Sequence, residues 1–307
     1  MAKILVTGGA GFIGSNLVNS LIEENHQVVI IDDLSTGEKQ KINKKAKFFH
    51  EDILNDLSAI FQEEQFDYVV HEAAQMNIRK SIEDPFLDSR VNIEGSINVM
   101  ENCRKYAVKK IVFASSGGAV YGDTQDIPTP ENHPLKPASP YGLSKDTVES
   151  YLQFYGDFYK LPSVSLRYAN VYGPGQNPAG EAGVVAIFTQ QLLNGKRPTI
   201  NGNGTKTRDF VYVEDVVKAT IRCLKSEKVG IYNVGTGTET SIGQIFEMIK
   251  AAVGTNTKPI YGSDILGEQQ RSSLDFSKIH KDFGWSPETS LEDGIKKTVE
   301  YFRKISP

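Results

Sequence analysis

The chain has few cysteines, no excess of basic residues and no long apolar run. Its two cysteines among 307 residues, Cys103 and Cys223, fall in predicted helices. A disulfide framework is therefore disfavoured, and buried free thiols in a reducing cytoplasm are expected. The net charge is −4 and no basic stripe stands out, which disfavours nucleic-acid binding. No apolar run is long enough to span a bilayer, and the first one, ending at Val6, leads into glycines rather than a signal-peptide cleavage site. These absences predict a cytoplasmic protein without nucleic-acid or membrane partners, and we predict no metal site.

Short apolar strands alternate with amphipathic helices through the first half of the chain. This alternation predicts an α/β fold, a Rossmann-like, doubly wound parallel sheet covered by helices on both faces. The predicted strands are 3–7, 27–32, 47–50, 67–71, 110–115 and 163–168, and the predicted helices are 11–24, 55–64, 87–106 and 139–160.

The texture of the sequence changes after Arg167, where glycine, proline and asparagine become frequent. We predict a first domain over 1–168 and a smaller C-terminal α/β lobe over 169–307, with some segments of the second half returning to the first domain. The predicted strands there are 208–212, 230–234 and 258–261, and the predicted helices are 184–194, 213–225, 241–252 and 290–304.

A glycine-rich turn follows the first predicted strand. Gly8, Gly11 and Gly14 are spaced three apart between that strand and a helix, which brings backbone N–H groups and a helix N-terminus toward a diphosphate. Asp32 ends the next strand eighteen positions after Gly14, where an acidic side chain binds ribose hydroxyls. Because a carboxylate repels a 2′-phosphate and Asp33 rather than arginine follows, NAD is favoured over NADP.

Two further strand ends leave alternatives open. Asp52 bonds the adenine amine or caps a helix that begins at 55. Ala73 and Ala74 follow the strand at 67–71, where small residues let a cofactor lie against the backbone or serve tight packing.

A tyrosine and a lysine are four residues apart in the predicted helix 139–160. Tyr141 and Lys145 therefore share one helix face. An ammonium near a phenol is expected to lower the pKa of the tyrosine from about 10 toward neutrality, so the pair can move a proton on an alcohol. An ordinary surface pair is the alternative. The strand at 110–115 ends in Ser115 and Ser116, and a hydroxyl there can share the substrate oxygen or serve only the turn.

The ordered series of motifs resembles the NAD-dependent epimerase/dehydratase family, the extended short-chain dehydrogenases/reductases, and most closely its nucleotide-sugar 4-epimerases. It covers nearly the whole chain. The matching elements are Gly8 to Gly14, Ile31 to Gly37, His71 to Gln75, Asn92, Ser115-Ser116, Tyr141 with Lys145, Leu166 to Pro174, Arg208 to Phe210, and Gly284-Trp285.

The resemblance implies NAD as cofactor. It implies Tyr141 as the base, Lys145 as its partner on the nicotinamide ribose, and Ser116 as the catalytic hydroxyl, with Ser115 still possible. The implied cofactor-binding residues are Gly8, Gly11, Phe12, Ile13, Gly14, Asp32, Asp33, Ser35, Thr36, Gly37, Asp52, Ile53, Ala73, Ala74, Gln75, Asn92, Tyr141 and Lys145.

The resemblance also implies a UDP-hexose substrate. Asn170 and Arg208 resemble residues that bind the nucleotide diphosphate, although a salt bridge with Asp209 is the alternative for Arg208. The implied substrate-binding residues are Ser116, Asn170, Val184, Arg208, Glu268, which matches a ribose contact, and Arg271. Relatives often carry an arginine where Ile265 stands here and an aromatic residue where Asn201 stands. Whether Arg271 replaces the missing arginine stays open.

Gly117 and Gly118 follow the serines where dehydratases of the family carry an acidic pair. The resemblance therefore implies a 4-epimerase that interconverts UDP-glucose and UDP-galactose through a 4-keto intermediate with recycled NAD. The small Ser272 leaves room for the N-acetyl sugars. A UDP-glucuronate 4-epimerase, a nucleotide-sugar reductase and a non-catalytic NAD sensor are the alternatives. By analogy with relatives, helices 87–106 and 139–160 are expected to pair across a two-fold axis in a homodimer. Apolar surface for this pairing comes from Tyr151, Phe154, Tyr155 and Phe158, and the alternative is that these side chains face the core of the chain itself.

Overall fold

The predicted alternation of strands and helices is present in the computed structural model, which describes residues 1–179, 183–264 and 269–305. The chain divides into two units by its internal contacts. Unit 1 comprises residues 1–120, 137–167 and 217–232, and unit 2 comprises residues 121–136, 168–216 and 233–307.

The regular elements follow in chain order. The strands are β1 (Lys3–Thr7), β2 (Gln27–Asp32), β3 (Lys47–His50), β4 (Tyr68–His71), β5 (Lys110–Ser116), β6 (Ser163–Tyr168), β7 (Asn170–Tyr172), β8 (Thr199–Asn201), β9 (Thr207–Arg208), β10 (Phe210–Tyr212), β11 (Gly230–Val234), β12 (Thr240–Ser241) and β13 (Ile260–Gly262). The helices are α1 (Phe12–Glu23), α2 (Ser58–Glu64), α3 (Ile78–Glu83), α4 (Pro85–Ser89), α5 (Gly95–Lys105), α6 (Gly117–Val120), α7 (Pro140–Tyr159), α8 (Val184–Leu193), α9 (Val213–Lys225), α10 (Ile242–Val253), α11 (Ser277–Phe283) and α12 (Leu291–Ile305).

Seven strands form one sheet in the order β11-β6-β5-β4-β1-β2-β3. The strands from β3 to β5 pair in parallel. Chain order reverses between β1 and β4, whose ends pair Thr7 with His71. The carboxyl ends of parallel strands on either side of such a reversal frame the crevice in which α/β sheets bind ligands. This order confirms the predicted Rossmann-like fold.

Each unit has its own apolar core. In unit 1, Phe61 and Phe113 lie among buried aliphatic side chains of the sheet and of helices α2, α5 and α7. Strands covered on both faces are continuously apolar, which explains why β1 and β2 read as plain hydrophobic runs. In unit 2, Phe188 and Phe246 pack between α8 and α10.

Several predicted boundaries differ from the structure for local reasons. The helix predicted over 87–106 is three pieces, α4, a π-helical turn at Arg90–Glu94, and α5. Pro85 stands at the first turn of α4 and the Asp84 side chain accepts the backbone N–H of Leu87, so the helix starts earlier than predicted. The strand predicted over 208–212 is interrupted at Asp209.

The cysteines of the chain are both inside the fold, where Cys103 and Cys223 are buried free thiols. None of the helices in the described ranges combines the length and apolar character that a bilayer-spanning segment requires. Among the residues that the structure describes, no group of three His, Cys, Asp or Glu side chains is arranged to hold a metal ion.

Candidate active site

The glycine turn between β1 and α1 is a tight cradle of bare backbone. Gly8 has φ +71°, and a Cβ there would lie 2.7 Å from the backbone nitrogen of Ala73. A Cβ on Gly14 would lie 2.2 Å from the carbonyl oxygen of Gly8. Glycine is therefore required at both positions. No side chain caps the N-terminus of α1 at Gly11. The turn fits a dinucleotide diphosphate, since the N–H groups of a helix N-terminus bind anions.

Asp32 lies at the carboxyl end of β2, beside this turn. Its carboxylate accepts the backbone N–H groups of Ala10 and Leu34, each at 2.9 Å. Burial raises its pKa, against the lowering effect of these two hydrogen bonds. A Cβ on Gly37 would lie 2.5 Å from Asp32 Oδ1, so the glycine lets the following loop fold over the carboxylate. Asp32 can still accept hydrogen bonds from ribose hydroxyls, because a carboxylate has room for more than two hydrogen bonds.

The remaining residues of the loop after β2 are near the surface. Asp33 Oδ1 accepts both the backbone N–H of Ser35 at 2.9 Å and its hydroxyl at 2.7 Å. This bonding fixes the start of the segment that continues through Thr36 to Gly37. On α1, Phe12 and Ile13 are half-buried in the first turn.

Asp52 and Ile53 follow β3 in a turn. Asp52 Oδ1 accepts the backbone N–H of Leu54 at 2.9 Å, and α2 begins only at Ser58. The alternative that Asp52 caps a helix starting at 55 is therefore wrong, whereas its contact with adenine stays a prediction. Ile53 is buried in the core of unit 1. It packs against Gly95 so closely that a Cβ on that glycine would lie 2.6 Å from Ile53 Cδ1.

The segment after β4 is held from two sides. Ala73 donates its backbone N–H to Thr7 Oγ1 at 3.3 Å, and Ala74 is half-buried beside it. Asn92 accepts the backbone N–H of Gln75 at 2.8 Å and donates to its carbonyl at 2.9 Å. The Asn92 amide thus binds the backbone of Gln75, and its contact with the cofactor stays a prediction.

Helix α7 carries the tyrosine and the lysine. Its N-cap Ser139 accepts the backbone N–H of Gly142 at 3.2 Å, and a Cβ on Gly142 would lie 2.4 Å from the carbonyl oxygen of Ala119. The helix start therefore lies directly against α6, at the end of β5. This contact positions Tyr141 and Lys145 beside the two serines.

Lys145 is a buried residue rather than half of a surface pair. It is 3% exposed, and its Nζ donates to the carbonyl oxygen of Ala114 at 2.7 Å. The ammonium lies 5.7 Å from the ring centroid of Tyr141 and 4.6 Å from that of Phe113. Burial lowers the pKa of Lys145 to about 8, against the raising effect of Glu72 and of other nearby carboxylates.

The predicted lowering of the tyrosine pKa is wrong. Burial raises the pKa of Tyr141 to about 12, and a hydrogen bond with Ser116 offsets only part of this effect. The physical reason is that the Lys145 ammonium is bound to Ala114 rather than to the phenol oxygen, while burial disfavours a phenolate.

The two serines at the end of β5 have different partners. Ser115 is 3% exposed and donates to Glu149 Oε1 at 2.5 Å. Glu149 also pairs with Arg167, whose Nη2 lies 2.6 Å from Oε2, and both side chains are buried. Ser116 instead acts on Tyr141 and lowers the pKa of its phenol. Of the two hydroxyls, Ser116 is therefore the one that affects the phenol.

Unit 2 holds the predicted substrate residues that are described. Asn170 is exposed at the start of β7, and its backbone N–H donates to the carbonyl of Asp209 at 2.9 Å. Arg208 lies on β9 and donates to the carbonyl of Thr207 at 2.7 Å. The carboxylate of buried Asp209 accepts the backbone N–H and hydroxyl of Thr236 at 2.9 and 2.6 Å. The Asp209 carboxylate therefore holds the loop that contains Thr236.

Three predicted substrate residues remain, Val184, Glu268 and Arg271. Arg271 Nε lies 3.0 Å from Glu239 Oε1 and Nη2 lies 2.5 Å from Oε2, so its guanidinium is held in a bidentate pair. Val184 is the first residue of α8. Glu268 lies outside the described residues.

The sequence matches a known family over most of its length. A profile of the NAD dependent epimerase/dehydratase family matches residues 4–235. The chain belongs to this family. The cofactor of the family is NAD, which agrees with the cradle at Gly8 to Gly14 and with Asp32.

Curated relatives within the epimerase/dehydratase family match over nearly their full length. A Methanocaldococcus jannaschii protein provisionally named UDP-glucose 4-epimerase is 48% identical over 98% of each chain. The UDP-glucose 4-epimerase of Mycolicibacterium smegmatis is 43% identical over 99% of each chain.

Solved structures agree with this family and with the fold. A UDP-glucose 4-epimerase of Thermotoga maritima, solved with UDP-glucose, is 44% identical with a TM-score of 0.97, over 98% of this chain and 99% of that one. A UDP-glucose 4-epimerase of Thermus thermophilus, solved with NAD, is 41% identical with a TM-score of 0.95, over 99% of this chain and all of that one.

Four side chains around the site were not predicted from the sequence. Glu149 and Arg167 form the buried pair behind Ser115, and Asp88 and Ser144 form a buried contact beside Lys145. A charged residue inside an apolar strand was the available signal for Arg167, because buried charges require partners. Asp88 and Ser144 gave no such signal, since both occupy helices in which polar residues are common.

Proposed function

We propose that the protein is an NAD-dependent nucleotide-sugar 4-epimerase that interconverts UDP-glucose and UDP-galactose. The observation that carries the proposal is the buried Lys145 beside Tyr141 at the end of β5. Its Nζ binds the carbonyl oxygen of Ala114 at 2.7 Å and lies 5.7 Å from the centroid of the Tyr141 ring, and Ser116 acts on the same phenol. Relatives named UDP-glucose 4-epimerase, 48 and 43% identical, support the substrate.

Tyr141 is the base in this proposal. It removes the proton from the 4-hydroxyl of the hexose, and the Ser116 hydroxyl holds the same oxygen. When bound, NAD would accept a hydride from C4 of the hexose and later return it to C4. Lys145 binds the nicotinamide ribose and, as a cation beside the phenol, favours the phenolate. Because burial raises the pKa of Tyr141 to about 12, positive charge beside the phenol is needed for the base to act near neutral pH.

A water-eliminating reaction is disfavoured by the residues that follow the serines. Gly117 and Gly118 begin α6 and supply no group for proton transfer. The 4-keto sugar therefore keeps its other substituents, turns about its diphosphate link and is reduced on the opposite face. Tyr141 then returns the proton to the oxygen. The net redox change is zero because the hydride removed from C4 would also be returned to C4.

The proposed substrate contacts follow the family pattern. Asn170 and Arg208 bind the diphosphate, where the planar guanidinium suits phosphate oxygens. Val184 and Glu268 contact the nucleotide. Arg271 would have to leave its pair with Glu239 to act as the second phosphate arginine.

We also propose that the protein is a homodimer. Tyr155 is buried in the core of unit 1, but Phe154 and Phe158 on the same helix are 49 and 68% exposed. Phe86 on α4 is 81% exposed. Such a collection of exposed aromatic side chains is typical of an interface.

The test is a product assay on the purified protein with UDP-glucose and no added reductant. We expect UDP-galactose to form without net NADH. Assays with UDP-N-acetylglucosamine and UDP-glucuronate then rank the alternatives. Tyr141→Phe should lower kcat by about 10³-fold, since a positioned general base contributes on this order. Tyr159→Phe, which removes a hydroxyl from an exposed ring on the same helix, is the matched control. Absence of any epimer from the three sugars, with NAD bound, would contradict the proposal.

A further inference from the structure

A cluster of four polar side chains lies beside α7 in unit 1. Asp88, Asn92 and Ser144 are 0, 3 and 3% exposed, and Gln75 is half-buried. They come from α4, the π-helical turn, α7 and the loop after β4, respectively. Buried polar groups require hydrogen-bond partners, and these four supply them to one another.

Asp88 is the centre of this cluster. Its Oδ1 accepts Gln75 Nε2 at 2.9 Å and Asn92 Nδ2 at 3.0 Å, and its Oδ2 accepts the Ser144 hydroxyl at 2.6 Å. Asn92 is in turn bound to both backbone groups of Gln75. The Asp88 carboxylate therefore connects the loop after β4 and the π-helical turn to α7 by hydrogen bonds.

The hydrogen bond from Ser144 to Asp88 connects this cluster to the turn of α7 that carries Tyr141 and Lys145. Ser144 directly precedes Lys145 and is three residues after Tyr141. A shift of Ser144 therefore moves both side chains, because residues three apart lie on neighbouring positions of one helix face.

The charge of Asp88 also affects the pKa values of Tyr141 and Lys145. Burial is the main influence on both pKa values, and Asp88 acts on both in the raising direction. The other ionisable groups that face the pair are Glu72 after β4, Glu149 on α7 and His71 on β4.

We propose that Asp88 is a positioning residue for the epimerase reaction, which fixes Tyr141 and Lys145 through Ser144 and holds the loop after β4 through Gln75 and Asn92. This inference rests on the proposed function of Tyr141 and Lys145. Burying a carboxylate is costly, and a neutral side chain would suffice for a purely structural contact. The anion contributes both a short charge-assisted hydrogen bond and a fixed field at the pair.

The experiment compares Asp88→Asn and Ser144→Ala with matched controls close to Asp88. Asp84→Asn keeps a capping side chain at the start of α4, and Ser89→Ala removes a hydroxyl that is bonded only to a backbone carbonyl. For each variant kcat, KM and the pH profile of kcat are measured with UDP-glucose. Thermal unfolding is measured alongside.

The two test variants have different expected signatures. Ser144→Ala should lower kcat about tenfold, the scale of one charge-assisted hydrogen bond, with KM within about twofold and no shift of the profile. Asp88→Asn keeps the shape but removes the anion. It should lower kcat similarly and also move both limbs of the profile to lower pH by roughly half a unit to one unit. Neither control should change kcat or the profile.

An inactive wild-type protein would refute the proposed function rather than the role of Asp88. In an active protein, the inference is overturned if Ser144→Ala leaves kcat unchanged. It is also overturned if Asp88→Asn folds but leaves the profile in place. If Asp88→Asn fails to fold, Ser144→Ala alone decides the question: a kcat lower by about tenfold with nearly unchanged KM supports the inference, and an unchanged kcat overturns it.

Discussion

Two adjacent serines at the end of β5 show how one residue step decides a role. The partners of both serines lie on α7. Ser115 donates to the buried Glu149, which pairs with Arg167, while Ser116 acts on the phenol of Tyr141, about two turns earlier in the helix. The motif Ser-Ser left this choice open, because the sequence does not fix which residue of α7 each serine meets.

Alanine substitutions should separate these two roles. Ser116→Ala is expected to lower kcat about 10²-fold while the melting temperature changes little, since it removes a group that assists proton transfer. Ser115→Ala is expected to lower the free energy of unfolding by about 1–3 kcal/mol, because Glu149 loses a buried donor. Enzyme kinetics and urea unfolding check both. Equal losses of kcat from the two variants would contradict the assignment.

At the scale of an element, α7 combines three functions along its twenty residues. Its first turns present Tyr141 and Lys145, its middle buries Leu152 and Tyr155 in the core, and its last turns expose Phe154 and Phe158. The helix thus couples the proposed reaction site to the proposed dimer face. The sequence contains the aromatic residues of the helix, but which of them are buried depends on how the helix packs in the fold.

Charges placed on the exposed aromatic positions should separate the protomers. Phe154→Glu combined with Phe158→Glu is expected to halve the mass measured by sedimentation equilibrium at micromolar concentration, because buried unpaired carboxylates destabilise an interface. The matched control is Val229→Glu, at a position in unit 1 that is 53% exposed and lies outside α7. A monomeric wild-type protein would rule out the homodimer.

At the scale of the whole molecule, acid stability depends on a buried histidine. His71 is fully buried, with Nδ1 2.7 Å from Thr7 Oγ1 and Nε2 2.9 Å from Ser96 Oγ. Since the Ser96 hydroxyl donates to the carbonyl of Asn92, Nε2 must donate to Ser96, and neutral Nδ1 accepts from Thr7. Burial, with the nearby Lys145 charge, lowers the pKa of His71 to about 3.

This histidine should make the fold lose stability as the pH falls. Below about pH 6.5 the unfolded chain binds a proton on His71 that the folded protein excludes, so the free energy of unfolding falls by about 1.4 kcal/mol per pH unit down to about pH 3. Urea unfolding between pH 6.5 and 4.5 measures this slope. His71→Asn should be less stable at neutral pH but have a shallower slope by about one proton. His50→Gln, at an exposed site, should keep the wild-type slope. An unchanged slope in His71→Asn would refute the linkage.

The sequence by itself determined the strand and helix alternation, the glycine turn with Asp32, and the positions of Tyr141 and Lys145. Each of these depends on local spacing, which the chain carries in its residue order. Only the tertiary structure decided that Ser116 rather than Ser115 meets Tyr141, that Arg271 pairs with Glu239, and that the pKa of Tyr141 rises instead of falling. It also decided the cluster around Asp88. Contacts between residues distant in sequence, and the burial that shifts a pKa, arise only when separate elements pack against one another.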